Sequence, residues 1–358
     1  MDDTTRSLHH FNSINPKLTL STHPHMLPTV PDPVPVHSYT LLSDIPAEFT
    51  ALNPSSETAH IVLGVDEAGR GPLIGPMVYS VGYCSTAYSV STLPNCAFAD
   101  SKKLTEDQRD ALMASICTTS ADNDNEDGDG DDTTTTTTTS SNNNFGAHIG
   151  YAVQALSPLD IATQMQRPST LVVNLNEQAH SSTIGLINAI LAKFASHGIK
   201  VVVDGLYIDT VGPPATYQRK LRTMWPESTI REIRVEKKAD DTYPIVSAAS
   251  IVAKTTRDEA VRQPQIKWGS GYPSDPNTKA WVAANIHRWF GWNALAGTQI
   301  RYSWGTAKNA LVASNAVDMR WEHELVRKHG YNGEDVLNNI NMANRTEADS
   351  PQTWFGVM

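Results

Sequence analysis

The chain has 358 residues, 40% hydrophobic and 18% charged, enough to bury a sizeable core in one large domain or two smaller ones. A formal net charge of −10 argues against a nucleic-acid ligand until it is placed: residues 1–57, 118–144 and 311–358 hold the excess acid, and the remainder carries 22 bases against 18 acids. Three unpatterned cysteines (Cys84, Cys96, Cys117) exclude a disulfide framework and a zinc site, and neither a membrane span nor a secretory signal is visible, so an intracellular, soluble protein is expected.

Residues 1–57 are rich in Pro, Ser, Thr and His and show no period, so a disordered tail is expected, with polyproline character around Pro31–Pro35. The β-branched run Ile61–Val65 reads as a buried strand. It ends in two adjacent carboxylates, Asp66 and Glu67, followed by Gly69, Arg70, Gly71 and Pro72. Side chains alternate along a strand, so the two acids serve one site only if the backbone turns there, which the glycines permit. Clustered carboxylates suit hard divalent cations; a bare Asp-Glu pair reads first as solvated acids at a strand end, and the Gly-Arg-Gly directly behind it reverses that preference. Met77–Cys84 is expected as a second strand, joined through Pro72, Gly75 and Pro76 in an antiparallel hairpin. Phe98–Leu104 leads into a helix capped by Ser101 or Thr105. The acid, Gly, Thr and Asn tracts of residues 118–144 cannot cover a core and read as a disordered insert. The calcium-loop look of Asp122–Gly130 lacks a distal Glu and flanking helices.

From His148 a strand is expected, then a short helix over residues 159–167. The clearest helix spans Ser182–His197, with Ile184, Ile187, Ile190, Leu191 and Phe194 on one face, Ser181 or Ser182 as cap and Gly198 as stop. Ile199–Val203 reads as a strand, and Leu206–Ile208 is a further apolar step, so a mixed α/β sheet is indicated. Two acids end these runs, Asp204 and Asp209, and the residues alone do not choose between them. Pro213 and Pro214 open a helix displaying Arg219, Lys220 and Arg222, read as a solvated face. Ile230–Val235 alternates as a strand and delivers Asp240 and Asp241 ahead of a helix through Val246–Val261, whose Ala248, Ala249 and Ser250 permit close packing. By itself Asp240 is an acid complementing a helix dipole. Tyr272, flanked by glycine, is placed to stack on a sugar or base. Asp275-Pro276 starts a helix running roughly over Lys279–Phe290, and a Trp321 helix is expected in the tail.

The stretch Asp66–Gly71, DEAGRG behind a strand, resembles the first signature of the type 2 ribonuclease H family. Later motifs follow in order: Asp100-Ser101-Lys102, DTVGPPATYQ from Asp209, Lys238-Ala239-Asp240 ahead of YPIVSAAS, and RYSWGT over Arg301–Thr306. The resemblance covers residues 60–308. It implies an α/β, ribonuclease H-like mixed sheet flanked by helices over residues 58–310, with a C-terminal helical extension over 311–358. It implies that Asp66, Glu67, Asp209 and Asp240 are the catalytic residues and hold two divalent ions, Mg²⁺ or Mn²⁺. The eukaryotic form of the family has its third carboxylate before TVG, which selects Asp209 over the runner-up Asp204. Substrate contacts are implied for Gly69, Arg70, Gly71, Lys102, Asn176, Arg257, Tyr272 and Thr306. The implied activity is endonucleolytic cleavage of the RNA strand of RNA–DNA hybrids, and cleavage 5′ of single ribonucleotides in duplex DNA. Ribonucleotide excision and primer removal in the nucleus follow from it, in a heterotrimer whose two accessory subunits meet the C-terminal extension. Gly305 departs from the longer polar residue of most relatives, and the Arg257–Gly269 segment is shorter than in eukaryotic ones. A catalytically silent nucleic-acid-binding scaffold of the same fold is the alternative, disfavoured because all four acids are present. A P-loop NTPase is disfavoured because no Gly-Lys-Ser/Thr follows the glycines.

Overall fold

The structure is a computed structural model that describes residues 27–317 other than 54–55, 97, 99–103, 119–143, 168–170, 211, 263–265 and 293–296. The expectations for residues 1–26, for Lys102, for the interior of the 118–144 insert and for the chain beyond 317, the Trp321 helix included, lie outside the described residues. The first half contains β1 (Tyr39–Leu42), α1 (Ala47–Thr50), β2 (Thr58–Ala68), β3 (Met77–Ser85), α2 (Thr86–Ser91), α3 (Glu106–Cys117), β4 (Gly150–Leu156) and α4 (Pro158–Met165). The second contains α5 (Leu175–Ser196), β5 (Lys200–Asp209), α6 (Pro214–Arg222), β6 (Ile230–Glu236), α7 (Pro244–Arg262), α8 (Pro276–Ala284), β7 (Ile286–His287), β8 (Gly291–Trp292) and α9 (Gly305–Ala313).

The main sheet has the order β1-β4-β3-β2-β5-β6. β2 sits between an antiparallel partner, β3, and a parallel one, β5, so the sheet is mixed, as its sequence pattern implies. Alternation along β2 builds both faces. Ile61, Leu63 and Val65 pack against the α4–α5–α6 layer through Ile187, Ile190 and Phe194. Val62 and Ala68 face α3 and α7 with Met113, Ala248 and Ile251. The start of α7 lies so close to β2 that a Cβ on Gly64 would come within 2.5 Å of the Ile245 carbonyl carbon. Glycine on the strand and Ala248 and Ala249 on the helix let the two backbones meet. A third apolar cluster (Leu73, Ile74, Trp268, Val282, Trp292, Ile300) packs the C-terminal elements under the loop joining β2 to β3.

Three expectations are corrected. The chain is structured well before residue 57: Tyr39–Leu42 adds an edge strand to β4, and Val30, Ile45 and Phe49 are buried. The Ser38 hydroxyl donates to Asp160 at 2.6 Å, a tie to α4 that a local pattern does not announce. The long helix begins at Leu175, not Ser182. The Asn174 side chain accepts from the Asn176 and Glu177 N–H groups, Glu177 returns the bond to the Asn174 N–H, and Ser182 is buried inside the helix. Finally, α8 stops at Ala284 rather than reaching Phe290. The Asn285 amide donates to the Trp281 carbonyl at 2.8 Å, and Gly291 (φ 70°) turns the chain back through the β7–β8 pair.

Candidate active site

β2 runs straight through its two acids: Asp66 pairs with Ser80, Glu67 with Tyr79, and the ladder continues to Ala68 opposite Val78. The turn expected at the acid pair begins instead at Gly69, in the left-handed region at φ 78°. Asp66 and Glu67 therefore leave the strand on opposite faces. Asp66, 5% exposed, points to the α7 side, where Ser250 hydrogen-bonds it and the charge of Lys254 reaches it. Glu67 lies on the α5–α6 side, near Arg70, Tyr79 and Tyr217.

Asp209 reaches the Asp66 face because β5 contains an extra residue. Its pairing with β2 runs from Ile61↔Val203 directly to Val62↔Gly205, leaving Asp204 as a bulge. Val203, Leu206 and Ile208 all enter the α5-side core, while Tyr207 packs on the α7 side. Asp209 has the phase of Tyr207. Without the bulge it would have the phase of Val203 and enter the apolar core, because one residue of slip inverts every side chain. The Asp209 carboxylate accepts from the Thr210 N–H at 3.0 Å and the Ala239 N–H at 3.3 Å. The second bond ties it to the 3₁₀ turn Ala239–Asp241, which carries Asp240, itself 4% exposed. Asp204 is held elsewhere, by Arg231 at 2.6 Å, the Thr86 hydroxyl at 2.7 Å and His60 at 3.1 Å.

The acids feel one another. Burial pushes Asp66 up to about 7, and the charge of Asp209 adds to the rise against hydrogen bonds from Ser250 and the Glu67 N–H. Burial pushes Glu67 up to about 8, with Asp66 and Asp209 adding and Arg70 opposing. Asp209 is raised by burial and by Asp240, against the Ala239 N–H. Among the described residues no three His, Cys, Asp or Glu side chains close on a common point at metal-ligand spacing. The four acids are gathered at one strand end and still divided between its faces. Their donor atoms are all oxygen, desolvated and of one sign, which fits hard divalent cations and no softer metal.

The loop behind the acids is shaped by a residue far along the chain. Arg301, fully buried, donates to the carbonyls of Gly69 at 2.6 Å, Arg70 at 3.1 Å and Gly75 at 2.9 and 3.0 Å, and lies 4.9 Å over the Trp304 ring. Among the described residues no carboxylate pairs with it, so carbonyl dipoles compensate its charge. Burial and the neighbouring Arg257 push its pKa below the usual guanidinium range. On the outer side of the loop, a Cβ on Gly71 would lie 3.7 Å from Tyr272, and one on Gly69 3.2 Å from the Arg257 side chain. Arg257 sits 5.7 Å from the Tyr272 ring and is tied to Asp258 at 2.9 Å and the Ser270 carbonyl at 3.1 Å. Arg70 donates to the Asn176 side chain on the first turn of α5.

A family model described as Ribonuclease HII matches residues 63–307, from the middle of β2 to the first turn of α9, so the match takes in the acids and Arg301 together. The chain belongs to the ribonuclease HII family. It is an endoribonuclease, of the kind that cuts the RNA strand of RNA–DNA hybrids. A ribonuclease H2 subunit from Neurospora crassa is 38% identical over 346 residues, 93% of this chain and 95% of that protein. The corresponding Homo sapiens protein is 38% identical over 73% of this chain and 76% of its own. The solved structure of ribonuclease H2 from Pyrococcus horikoshii OT3 is 26% identical with a TM-score of 0.51, over 72% of this chain and 100% of that one. No helix among the described residues is long and apolar enough to cross a membrane.

In this ribonuclease HII chain the fold groups Asp209, not Asp204, with Asp66 and Asp240. It brings Asn176, Arg257 and Tyr272 around the turn that carries Gly69, Arg70 and Gly71. Thr306 stands at the start of α9, half-buried, two residues past the Trp304 that underlies Arg301. The sequence presents Arg301 only as part of a motif and suggests no task for it. The available signal was an arginine heading a conspicuous aromatic motif, RYSW, with no acid beside it.

Proposed function

We propose that this endoribonuclease cuts on the 5′ side of ribonucleotides, in RNA–DNA hybrids and as single residues in duplex DNA, leaving 5′-phosphate and 3′-hydroxyl ends. What supports the reading is the gathering of buried, mutually repelling carboxylates beside a glycine turn whose shape is held from behind by Arg301. Asp66, Glu67, Asp209 and Asp240 would hold two ions, Mg²⁺ or Mn²⁺. Bound there, such ions supply activation of a water and charge neutralisation at the attacked phosphodiester. The remaining work falls to the chain. Gly69 and Gly71 present backbone to the sugar at a distance no side chain allows, so the turn senses a 2′-hydroxyl. Tyr272 stacks beside it, and Arg70, Arg257 and Lys102 meet phosphates. Asn176 orients Arg70, and Thr306 contacts the substrate from the start of α9.

By the same reading the protein works in the nucleus as the catalytic member of a complex with two accessory subunits, which residues 311–358 engage. The test is a duplex carrying one ribonucleotide, incubated with the full-length chain, its partners and Mg²⁺. Cleavage 5′ of the ribonucleotide, abolished in Asp66→Ala, is the expected result. An intact duplex, or equal cleavage by Asp66→Ala, defeats the reading; tight hybrid binding without metal-dependent turnover would favour a silent scaffold.

A further inference from the structure

Glu67 lies on the face of the sheet opposite Asp66, and the side chains around it continue past Arg70 and Asn176 into a polar ridge whose outer members, His180, Tyr217 and Lys220, have no task in the proposed reaction. The ridge starts at Arg70, whose guanidinium is held by Asn176. One turn along α5 from Asn176 comes His180, on the same helix face. His180 stacks on Tyr217 of α6, ring centroids 3.8 Å apart and 13° from parallel, and the Tyr217 ring feels the charge of Glu67. From α6, Lys220 donates to His180 Nδ1 at 3.3 Å.

Three features separate Lys220 from the solvated helix face that its sequence suggests. Its neighbours on α6 are committed to the fold: Arg222 donates to the Ile230 and Arg231 carbonyls at 2.6 and 3.0 Å, and Arg219 turns back to the Ala215 carbonyl at 3.4 Å. Among the described residues neither Lys220 nor Arg70 forms an ion pair with an acid. The pair also acts on His180. Burial, Lys220 and Arg70 lower its pKa, and Glu177 opposes them. The imidazole therefore stays neutral and serves as an acceptor that aims the ammonium group. Two cations beside one neutral ring, neither held in an ion pair among the described residues, make a locus for an anion.

We infer that Lys220, aimed by His180, takes a phosphodiester of the ribonucleotide-containing strand, one flanking the cleaved bond on the Glu67 side. This rests on the function proposed above, which supplies the strand and the position of its ribose at the Gly69–Gly71 turn. Lys220 is the binding residue; His180, carried on the stack with Tyr217, is its positioning residue.

The experiment uses the full-length chain with its partner proteins and a duplex containing one ribonucleotide. Lys220→Gln is expected to raise KM about tenfold with little change in kcat. It is also expected to reduce the slope of log(kcat/KM) against log salt by about one. Lys220→Arg restores most of the loss, and His180→Ala gives a smaller change of the same sign. A neutral methylphosphonate is then placed at each phosphate around the ribonucleotide in turn. One position should weaken the wild type and leave Lys220→Gln unaffected. An unchanged KM and salt slope, or a methylphosphonate profile identical in the two proteins, overturns the inference. Equilibrium binding of the same duplexes reads the contact without turnover. Absence of cleavage by the wild type would therefore count against the proposed reaction and not against this contact.

Discussion

Arg301 and Asp66 show how far a single buried charge depends on its company. The guanidinium of Arg301 bridges three carbonyls of one loop, and no other side chain of its size offers donors in so wide a planar fork. Arg301→Lys keeps the charge and loses the span. It should destabilise the protein by about 3 kcal/mol and lower kcat/KM by more than about tenfold, read by thermal unfolding and steady-state cleavage. A variant of wild-type stability and activity would show that the loop holds its own shape. Asp66 and Glu67 make a prediction about pH. Their folded pKa values, about 7 and about 8, are raised above the ordinary values of 3.8 and 4.5. The folded state therefore binds more protons than the unfolded one in between. Their contribution is fully present below pH 4 and is lost as pH rises through 7 and 8. In metal-free buffer, Asp66→Asn should gain stability relative to wild type as pH rises from about 4 to 8, and Mg²⁺ should stabilise wild type more than the variant at the upper end. A difference between the two that does not vary with pH would mean that Asp66 is not desolvated.

At the scale of elements, the bulge in β5 decides which acid joins the site. Inserting one Ala between Leu206 and Tyr207 adds a residue to the paired ladder and sends Tyr207–Asp209 to the opposite face, so activity should fall below about 1% of wild type. Asp204→Ala keeps the residue count, and most activity should survive. Equal losses in both would show that the carboxylate and its partners Arg231, Thr86 and His60 matter as much as register. This also explains why the sequence left Asp204 and Asp209 open. Each ends an apolar run, and a period of two carries no mark of an inserted residue; family context, not pattern, selected Asp209. The β2–turn–β3 hairpin was legible because all its determinants are contiguous. The start of α5 was legible in principle, since Asn174 and Glu177 have capping-box spacing, but the apolar face beginning at Ile184 drew attention downstream. β1 was not legible, because four residues amid prolines acquire their structure from β4, over a hundred positions away.

At the scale of the whole molecule, the described residues form a mixed sheet with a helical layer on each face and a smaller packing unit, C-terminal among them, set against the loop at the end of β2. That unit forms one wall of the candidate site. The Leu73 N–H donates to the Gly271 carbonyl at 2.7 Å, the Gly75 N–H to the Gln299 carbonyl at 2.9 Å, and Ile74 bridges to Ile300. The mildly basic balance of residues outside the acidic segments belongs to this assembled body, where a polyanionic duplex must sit.

Arg301 and the Gly75 carbonyl it grips are 226 positions apart. On a ribosome, Asp66, Glu67, Asp209 and Asp240 all emerge before the arginine that gives their neighbouring turn its form. A half-made copy of this nuclease thus carries its acids without a finished recognition surface.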